Sequence, residues 1–432
     1  MDLPTSPAPA AGQPVSTNRF AMVVVTSIFF MWGFLTCLND ILIPHLKAVF
    51  ELNYVQAMLI QFTFFGAYFL MSLPAGRLVA ALGYKKGIVA GLAIAGIGAL
   101  LFWPAAAMQV YGVFLGALFV LATGITVLQV AANPYVALLG PEKTSHSRLT
   151  LAQTLNSFGT FLAPFFGGML ILSAAPKSSD QLAAMPAAEV AAYRASEAAA
   201  VQGPYLGLGL ALFALAVIVL LFKLPAIRGV EDEAHDRSYS IGQVLAHRHV
   251  LFGVLAIFFY VGAEVSIGSV LVNYLSMPEI GGMTEKQAAN WVAYYWGGAM
   301  VGRLIGSFLL AQFNPRRLLA AFAAVNVGLL LLTMSSTGAL AMYSVIAIGL
   351  FNSIMFPTIF ALGIERMGPM TNKAASLLIM AIVGGAIVPV IVGALADARG
   401  LQFSFLVPVL CYAYIVYYGL RGSRVREAAP AA

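Results

Sequence analysis

Long runs of apolar residues, each closed by a short polar or basic break, organise this chain from Arg19 to Arg421. About 20 such residues are what an α-helix needs to cross the hydrocarbon core of a bilayer. Twelve runs meet that need. The first six are 20–46, 53–80, 86–106, 108–139, 146–173 and 204–223. The second six are 249–277, 285–312, 315–334, 337–364, 371–397 and 402–421. Several exceed the required length, which predicts tilt or protrusion. The pattern therefore predicts an all-α membrane protein with twelve transmembrane helices. Residues 1–18, rich in Pro, Ala and Ser, predict a disordered tail. A signal peptide is not expected, because the following apolar run is too long and contains Asn39 and Asp40.

Composition agrees with lipid as the main solvent. Hydrophobic residues make up 61% of the chain and charged residues 9%, against about one quarter charged in ordinary soluble domains. The net charge of +6 lies in short loops, with no basic stripe for a polynucleotide, so no nucleic-acid partner is expected. With the N-terminus inside, seventeen Lys and Arg fall on the inner side and five on the outer, leaving Arg303 within a span. That asymmetry predicts cytoplasmic termini. Cys37 and Cys411 lie inside spans and read as packing residues. Residues 224–248 carry the densest charge and read as a cytoplasmic linker. Its His247-x-His249 pair lacks a third ligand nearby, so a solvated loop is expected rather than a metal site. No cofactor is expected. The Ala-rich stretch 174–203 predicts an outer surface helix or partial disorder.

A repeat divides the chain. Gly76-Arg77-Leu78 recurs as Gly302-Arg303-Leu304 at an offset of 226. Gly159 and Pro164 match Gly384 and Pro389 at 225, and Pro134 matches Pro357 at 223. Four landmarks at one near-constant offset indicate duplication. The expected domains are a tail at 1–18, a six-helix bundle at 19–223, the linker at 224–248, a second bundle at 249–421 and a tail at 422–432. Parallel repeats of six spans are the architecture of the major facilitator fold, with substrate held between the halves near the midplane.

Polar residues inside the spans carry the candidate chemistry. Of 17 acids, only Asp40 and Glu264 fall well within spans. A buried charge there costs about 2.5–3.5 kcal/mol on insertion scales. An acid that is alternately wet and dry can load and release a proton. Asp40 follows Thr36 by one turn, and Glu264 follows Tyr260 by one turn. For Asp40 a solvated helix end stays open as the alternative, and for Glu264 a structural pair with Arg303. Gln129 and Asn133 share a face of span four, and Gln153 and Asn156 share a face of span five. With Asn39, Asn273, Gln61, Asn290, Asn326 and Asn352 they suit a neutral polyhydroxylated ligand. Interhelical hydrogen bonding is the competing reading. Trp291, Tyr294, Tyr295 and Trp296 form either a sugar-stacking platform or an interfacial belt. Arg77 and Arg303 are read as gating groups, and Pro134, Pro164, Pro357 and Pro389 as kinks for bending helices.

These segments carry a resemblance. Leu38-Asn39-Asp40-Ile41-Leu42-Ile43-Pro44, Ala132-Asn133-Pro134-Tyr135 through Leu139-Gly140-Pro141-Glu142, Arg148 through Ser157, and Ser353 through Leu362 resemble the fucose/proton symporter family of the major facilitator superfamily. Span seven, Tyr260 through Gly268, looks more like the family's glucose/galactose branch. The resemblance implies a monomeric sugar carrier, often proton-coupled, in a bacterial inner membrane. It implies a proton-linked role for Asp40. The fucose-permease branch has a second acid where this chain has Gln129, and Glu264 is the candidate replacement. The loop after span two keeps Gly76, Gly83, Lys85 and Lys86 but has Ala80 in place of the usual aspartate.

The expected function is import of a neutral hexose by alternating access. Gln129, Asn133, Gln153, Asn156 and Asn39 would hold hydroxyls from one bundle, with Tyr260, Glu264 and Asn273 from the other. Uniport, sodium coupling and export of another metabolite or drug stay open. An enzyme is not expected, because the spans hold no nucleophile–base set, metal cluster or phosphate loop.

Overall fold

The computed structural model describes residues 19–50, 54–108, 110–170, 184–200, 202–222, 224–225 and 239–425. Within these, side chains at 19–20, 37–50, 54–58, 164–170 and some positions in 191–200 and 285–289 are outside the description. Among the described residues all regular structure is helical. The first half comprises α1 (Arg19–Phe50), α2 (Tyr54–Met108), α3 (Tyr111–Leu138), α4 (Ser145–Leu170), α5 (Ala187–Ala200) and α6 (Gln202–Leu221). The second comprises α7 (Arg248–Ser276), α8 (Glu285–Gln312), α9 (Pro315–Ser335), α10 (Gly338–Asn352), α11 (Met355–Gly363), α12 (Thr371–Met380), α13 (Gly384–Arg399) and α14 (Leu406–Tyr417).

Eight helical stretches are long and apolar enough to cross a membrane, among the described residues. One of them, Leu59–Met108, holds two spans. Its limbs join at Gly83, whose φ of 78° and ψ of 165° are left-handed and non-helical. A side chain there would be strained, so glycine makes the turn tight enough for helix to run on from both sides. The shorter apolar stretch Ala21–Thr36 of α1 and the more polar α4 and α8 complete twelve. The expected break between spans two and three is thus a single residue wide. The surface helix expected in 174–203 is α5; residues 171–183 lie outside the description.

The last spans are interrupted. Span ten breaks between α10 and α11 at Ser353–Ile354. Pro357 causes it: proline has no N–H for the carbonyl four residues earlier, Ser353 O, and its ring collides with that group. Span eleven is pieced from α12, a 3₁₀ turn at Ala381–Val383, and α13. By contrast α3 runs unbroken through Pro134.

Small residues let the backbones meet. A Cβ placed on Gly159 would fall 2.2 Å from Phe30 O, and one on Gly384 would fall 2.1 Å from Phe258 O. These two glycines are repeat partners. Each brings the fifth helix of its bundle onto the first, as close approach through glycine allows in lipid. Both bundles are therefore assembled by one rule.

The linker joins the ends of α6 and α7, and that face is the linker end. Here α3 and α4 are tied by Arg148, which donates to Val136 O (3.2 Å), Ala137 O (2.6 Å), Pro141 O (2.8 Å) and Thr144 Oγ1 (2.6 Å). In the second bundle Arg316 pairs with Glu365 at 2.5 Å. His249 corrects the solvated-loop reading. It is 2% exposed, with Nε2 3.1 Å from Glu365 O, so it seals the start of α7 against span ten.

Candidate substrate and proton site

Among the described residues the bundles touch near the linker end and at mid-depth. Ser147 Oγ of α4 donates to Ser307 O of α8 at 2.6 Å. Deeper in, Arg303 Nη1 of α8 donates to Ser157 Oγ of α4. On the other side of the axis Gly76 of α2 lies against Ser376 of α12, and Phe65 against Gly385 of α13. At the linker end a cleft of about 570 Å³ separates Glu142, Lys143 and His146 from Arg316, Glu365 and Thr371. The candidate site is not this cleft but the polar layer at mid-depth.

In the first bundle that layer has few hydrogen bonds among the described residues. Gln129 Nε2 donates to Tyr68 OH at 2.8 Å, joining α3 to α2. Gln153 Nε2 reaches Asn133 Oδ1 at 3.5 Å, joining α4 to α3, and Asn133 Nδ2 is buried without a partner. Asn156 turns elsewhere: its Nδ2 donates to Phe29 O of α1 at 2.9 Å. The two amides that share a face of α4 therefore address different helices. Thr36 Oγ1 donates back to Trp32 O of its own helix at 2.9 Å. The side chains of Asn39 and Asp40 lie outside the described residues.

In the second bundle the layer is a network. Asn352, fully buried, gives Nδ2 to Tyr295 OH (2.9 Å). Its Oδ1 accepts from Tyr412 OH (2.6 Å) and Asn326 Nδ2 (2.9 Å). Its backbone carbonyl accepts from Tyr260 OH at 3.2 Å. That same hydroxyl lies 2.8 Å from Glu264 Oε1. Tyr295 OH also reaches Glu264 O at 3.3 Å. The interruption before Pro357 has a direct consequence here. It turns the carbonyls of Asn352 and Ser353 out of the helical ladder, where Tyr260 and Arg303 Nε (3.3 Å to Ser353 O) take them up. A broken helix whose loose carbonyls line a polar interior is tolerated in a membrane only when such donors replace the ladder.

Not every expected residue joins these clusters. Asn273 is exposed near the far end of α7, nine residues or roughly 14 Å beyond Glu264 at the helical rise. Arg77 is exposed at the linker end, whereas its repeat partner Arg303 is partly buried between the bundles. The aromatic cluster is split: Tyr295 is fully buried, while Tyr294 (62%) and Trp296 (40%) point outward. Sequence reasoning missed Tyr68, Tyr412 and Ser157 and gave Asn352 no special place. The repeat held the missing signal. Asn352 lies 223 residues after Gln129, the Pro134–Pro357 offset, and each amide donates to a tyrosine of the second helix in its bundle.

A paired bundle with a polar layer at its seam defines a membrane carrier scaffold, and comparison with known proteins agrees. The Major Facilitator Superfamily pattern matches residues 21–383, and the chain belongs to that superfamily. It is 55% identical over 405 residues to a glucose/galactose transporter of Brucella abortus, covering 94% of each chain. It is 39% identical over 400 residues to the L-fucose-proton symporter of Escherichia coli, covering 91% of each. The crystal structure of that superfamily's transporter FucP in the outward conformation matches with a TM-score of 0.84 at 38% identity, covering 92% of this chain and 97% of that one. The protein is an integral membrane protein of the transporter type, not an enzyme.

Proposed function

We propose that this chain imports a neutral hexose of the glucose, galactose or fucose kind together with a proton, by alternating access. The observation that carries the reading is the mid-depth layer. Neutral amides and hydroxyls lie at this level in each bundle, and the second bundle's cluster includes one described carboxylate, Glu264, whose Oε1 lies 2.8 Å from Tyr260 OH. Amides both donate and accept, so they match a ring of hydroxyls without demanding a charge on it. A carboxylate in such a layer is a group able to take up and release a proton there.

In this reading Gln129, Asn133, Gln153 and Asn156 meet the sugar from the bundle 19–223. Tyr260, Glu264 and, at the mouth, Asn273 meet it from the bundle 249–421. Asn39 and Asp40 complete the first bundle's share, with Asp40 as a second proton site. Arg77, Arg303, Pro134 and Pro357 act in gating. The seam bond from Ser147 to Ser307 O at the linker end, together with similarity to a carrier in the outward conformation, supports an outward-facing state. The linker end then faces the cytoplasm, as do both termini, and the protein sits as a monomer in a bacterial inner membrane. Lipid contacts only its outer apolar faces.

Uptake of labelled glucose, galactose, fucose and mannose into proteoliposomes tests this, with an inward proton gradient imposed or collapsed. Accumulation above equilibrium only with the gradient is expected for at least one sugar. Accumulation that follows sodium when choline replaces it would replace the proton with sodium. Uptake that merely equilibrates under every gradient would make the chain a uniporter. No uptake of any of the four would overturn the sugar reading.

A further inference from the structure

Arg303 stands where two demands meet. It is the one Lys or Arg that the sequence leaves deep inside a span, away from either end. Its Nε is anchored to Ser353 O, the carbonyl that Pro357 releases, at 3.3 Å. Its Nη1 crosses the seam to Ser157 Oγ, a side chain only 7% exposed. Glu264 lies within electrostatic reach of the same guanidinium, though its Oε1 is occupied by Tyr260. The guanidinium can only donate, through its five N–H groups. Its partners therefore follow the charge on Glu264. An ionised Glu264 draws the cation toward α7 and away from Ser157. A protonated Glu264 leaves Ser353 O and Ser157 Oγ as its best acceptors.

The bond to Ser157 must break before the linker end can part, since the two atoms belong to opposite bundles. We propose that Arg303 and Ser157 form a leak guard, which holds the bundles shut at the linker end when Glu264 carries a proton but no sugar is bound. A proton-loaded, empty carrier is the species that would otherwise carry protons across unaccompanied. The ionised, empty carrier is unlatched and free to reset. Sugar entering between the bundles supplies hydroxyl acceptors to the guanidinium, and so releases the latch only for the fully loaded form. The inference rests on the proposed role of Glu264 as a proton carrier. Among the described residues, the titratable or charged groups around Glu264 are Tyr260 on its own helix, Arg303 and Tyr295 on α8, and Tyr412 on α14. Ser157 and Ser353 add no charge.

The test is proton influx into proteoliposomes holding an entrapped pH dye, without sugar and then with it. In the parent protein sugar should evoke acidification, and its absence would overturn the proton-symport reading and this inference with it. Given that signal, Ser157→Ala should raise sugar-independent influx on the order of tenfold, the weight of one charge-assisted hydrogen bond. Ser157→Thr, which keeps the hydroxyl, should restore tightness. Arg303→Gln should leak as Ser157→Ala does, and combining the two should add nothing further. Ser147→Ala removes a neighbouring bond across the same seam, to a backbone carbonyl. It should leave influx low. A Ser157→Ala protein as tight as the parent would overturn the guard while leaving symport intact. Equal leaks from Ser147→Ala and Ser157→Ala would overturn it too, by showing that any loosening of the seam suffices.

Discussion

The two bundles carry the same tie. In the first, Gln129 donates to Tyr68 at 2.8 Å; in the second, Asn352 donates to Tyr295 at 2.9 Å. Both amides precede a proline by five residues, at one repeat offset. From this shared start the bundles part. Around Gln129 the tie has no further hydrogen bond among the described residues, and α3 stays whole through Pro134. Around Asn352 it grows into a network with Tyr260, Tyr412, Asn326 and Glu264, and span ten is broken. The difference lies in the donors available. Tyr260 and Arg303 take the carbonyls released before Pro357. In the first bundle Thr36, which also stands one turn before an acid, turns back on Trp32 O, and Arg77, the repeat partner of Arg303, is exposed. Duplication preserved the backbone landmarks, while side-chain chemistry made the second half, among the described residues, the more densely hydrogen-bonded.

The comparison would break most sharply at the carboxylate. If the second bundle holds the described proton site, Glu264→Gln should abolish accumulation of sugar above equilibrium while preserving the hydrogen bond from Tyr260. Gln129→Glu adds an acid to the first bundle against Tyr68, and should not restore accumulation in the Glu264→Gln background. Gradient-driven uptake in proteoliposomes measures both. Restored accumulation would mean that the bundles are interchangeable as proton sites.

Next in size is the hub. Asn352→Ala strands Tyr295, Tyr412 and Asn326 at once, whereas Gln129→Ala strands Tyr68 alone. Interhelical bonds in membranes average about 0.6 kcal/mol each, with a maximum near 1.7. Asn352→Ala should therefore cost roughly 2–5 kcal/mol and Gln129→Ala about 1 kcal/mol. Thermal unfolding in detergent should show the larger loss in Asn352→Ala. Equal losses would dissolve the contrast between network and isolated tie.

The contrast also explains what could be read from the residues alone. Twelve spans were legible because lipid leaves helices little choice but long apolar runs. The repeat was legible because glycine and proline mark backbone requirements that outlast changes of side chain; Gly159 and Gly384 still make the same close approach. The site was legible only in part. Asp40, Glu264 and the amides stand out as polar letters in apolar text, but Tyr68, Tyr295 and Tyr412 do not, since a tyrosine fits an apolar run. Which way each ring points depends on the rotation of its helix, as the split between buried Tyr295 and exposed Tyr294 shows. His249 was misread for a related reason. With no third ligand nearby in sequence it reads as part of a solvated loop, while the fold brings Glu365 O over it.

The prolines test the broken helix more gently. Pro357→Ala returns an N–H that can bond to Ser353 O and so competes with Arg303 Nε. Pro134→Ala returns one to Val130 O, where neither Thr36 nor Arg77 competes. Pro357→Ala should slow transport severalfold with little change in apparent sugar affinity, and Pro134→Ala should act less. Initial rates over a range of sugar concentrations separate the two effects. Equal slowing would show that both prolines serve only as flexible points.

The smallest expected effect is the most discriminating, because it removes a single oxygen from each tie. Tyr68→Phe deletes the acceptor of Gln129 Nε2. Tyr295→Phe deletes the acceptor of Asn352 Nδ2 and also the donor to Glu264 O at 3.3 Å. At about 0.6 kcal/mol for each interhelical bond, Tyr295→Phe should cost roughly twice what Tyr68→Phe does. The functional signs should differ as well. Loss of the Tyr68 hydroxyl frees the Gln129 amide to meet a sugar hydroxyl, so apparent affinity should hold or rise slightly. Loss of the Tyr295 hydroxyl loosens the helix turn that carries Glu264, so the pH dependence of uptake should shift. Paired unfolding curves and pH profiles read these outcomes. If the two phenylalanine variants match in both stability and pH profile, the ties are equivalent, and the second bundle's advantage lies in Tyr412 and Asn326 rather than in the link from Tyr295 to Glu264.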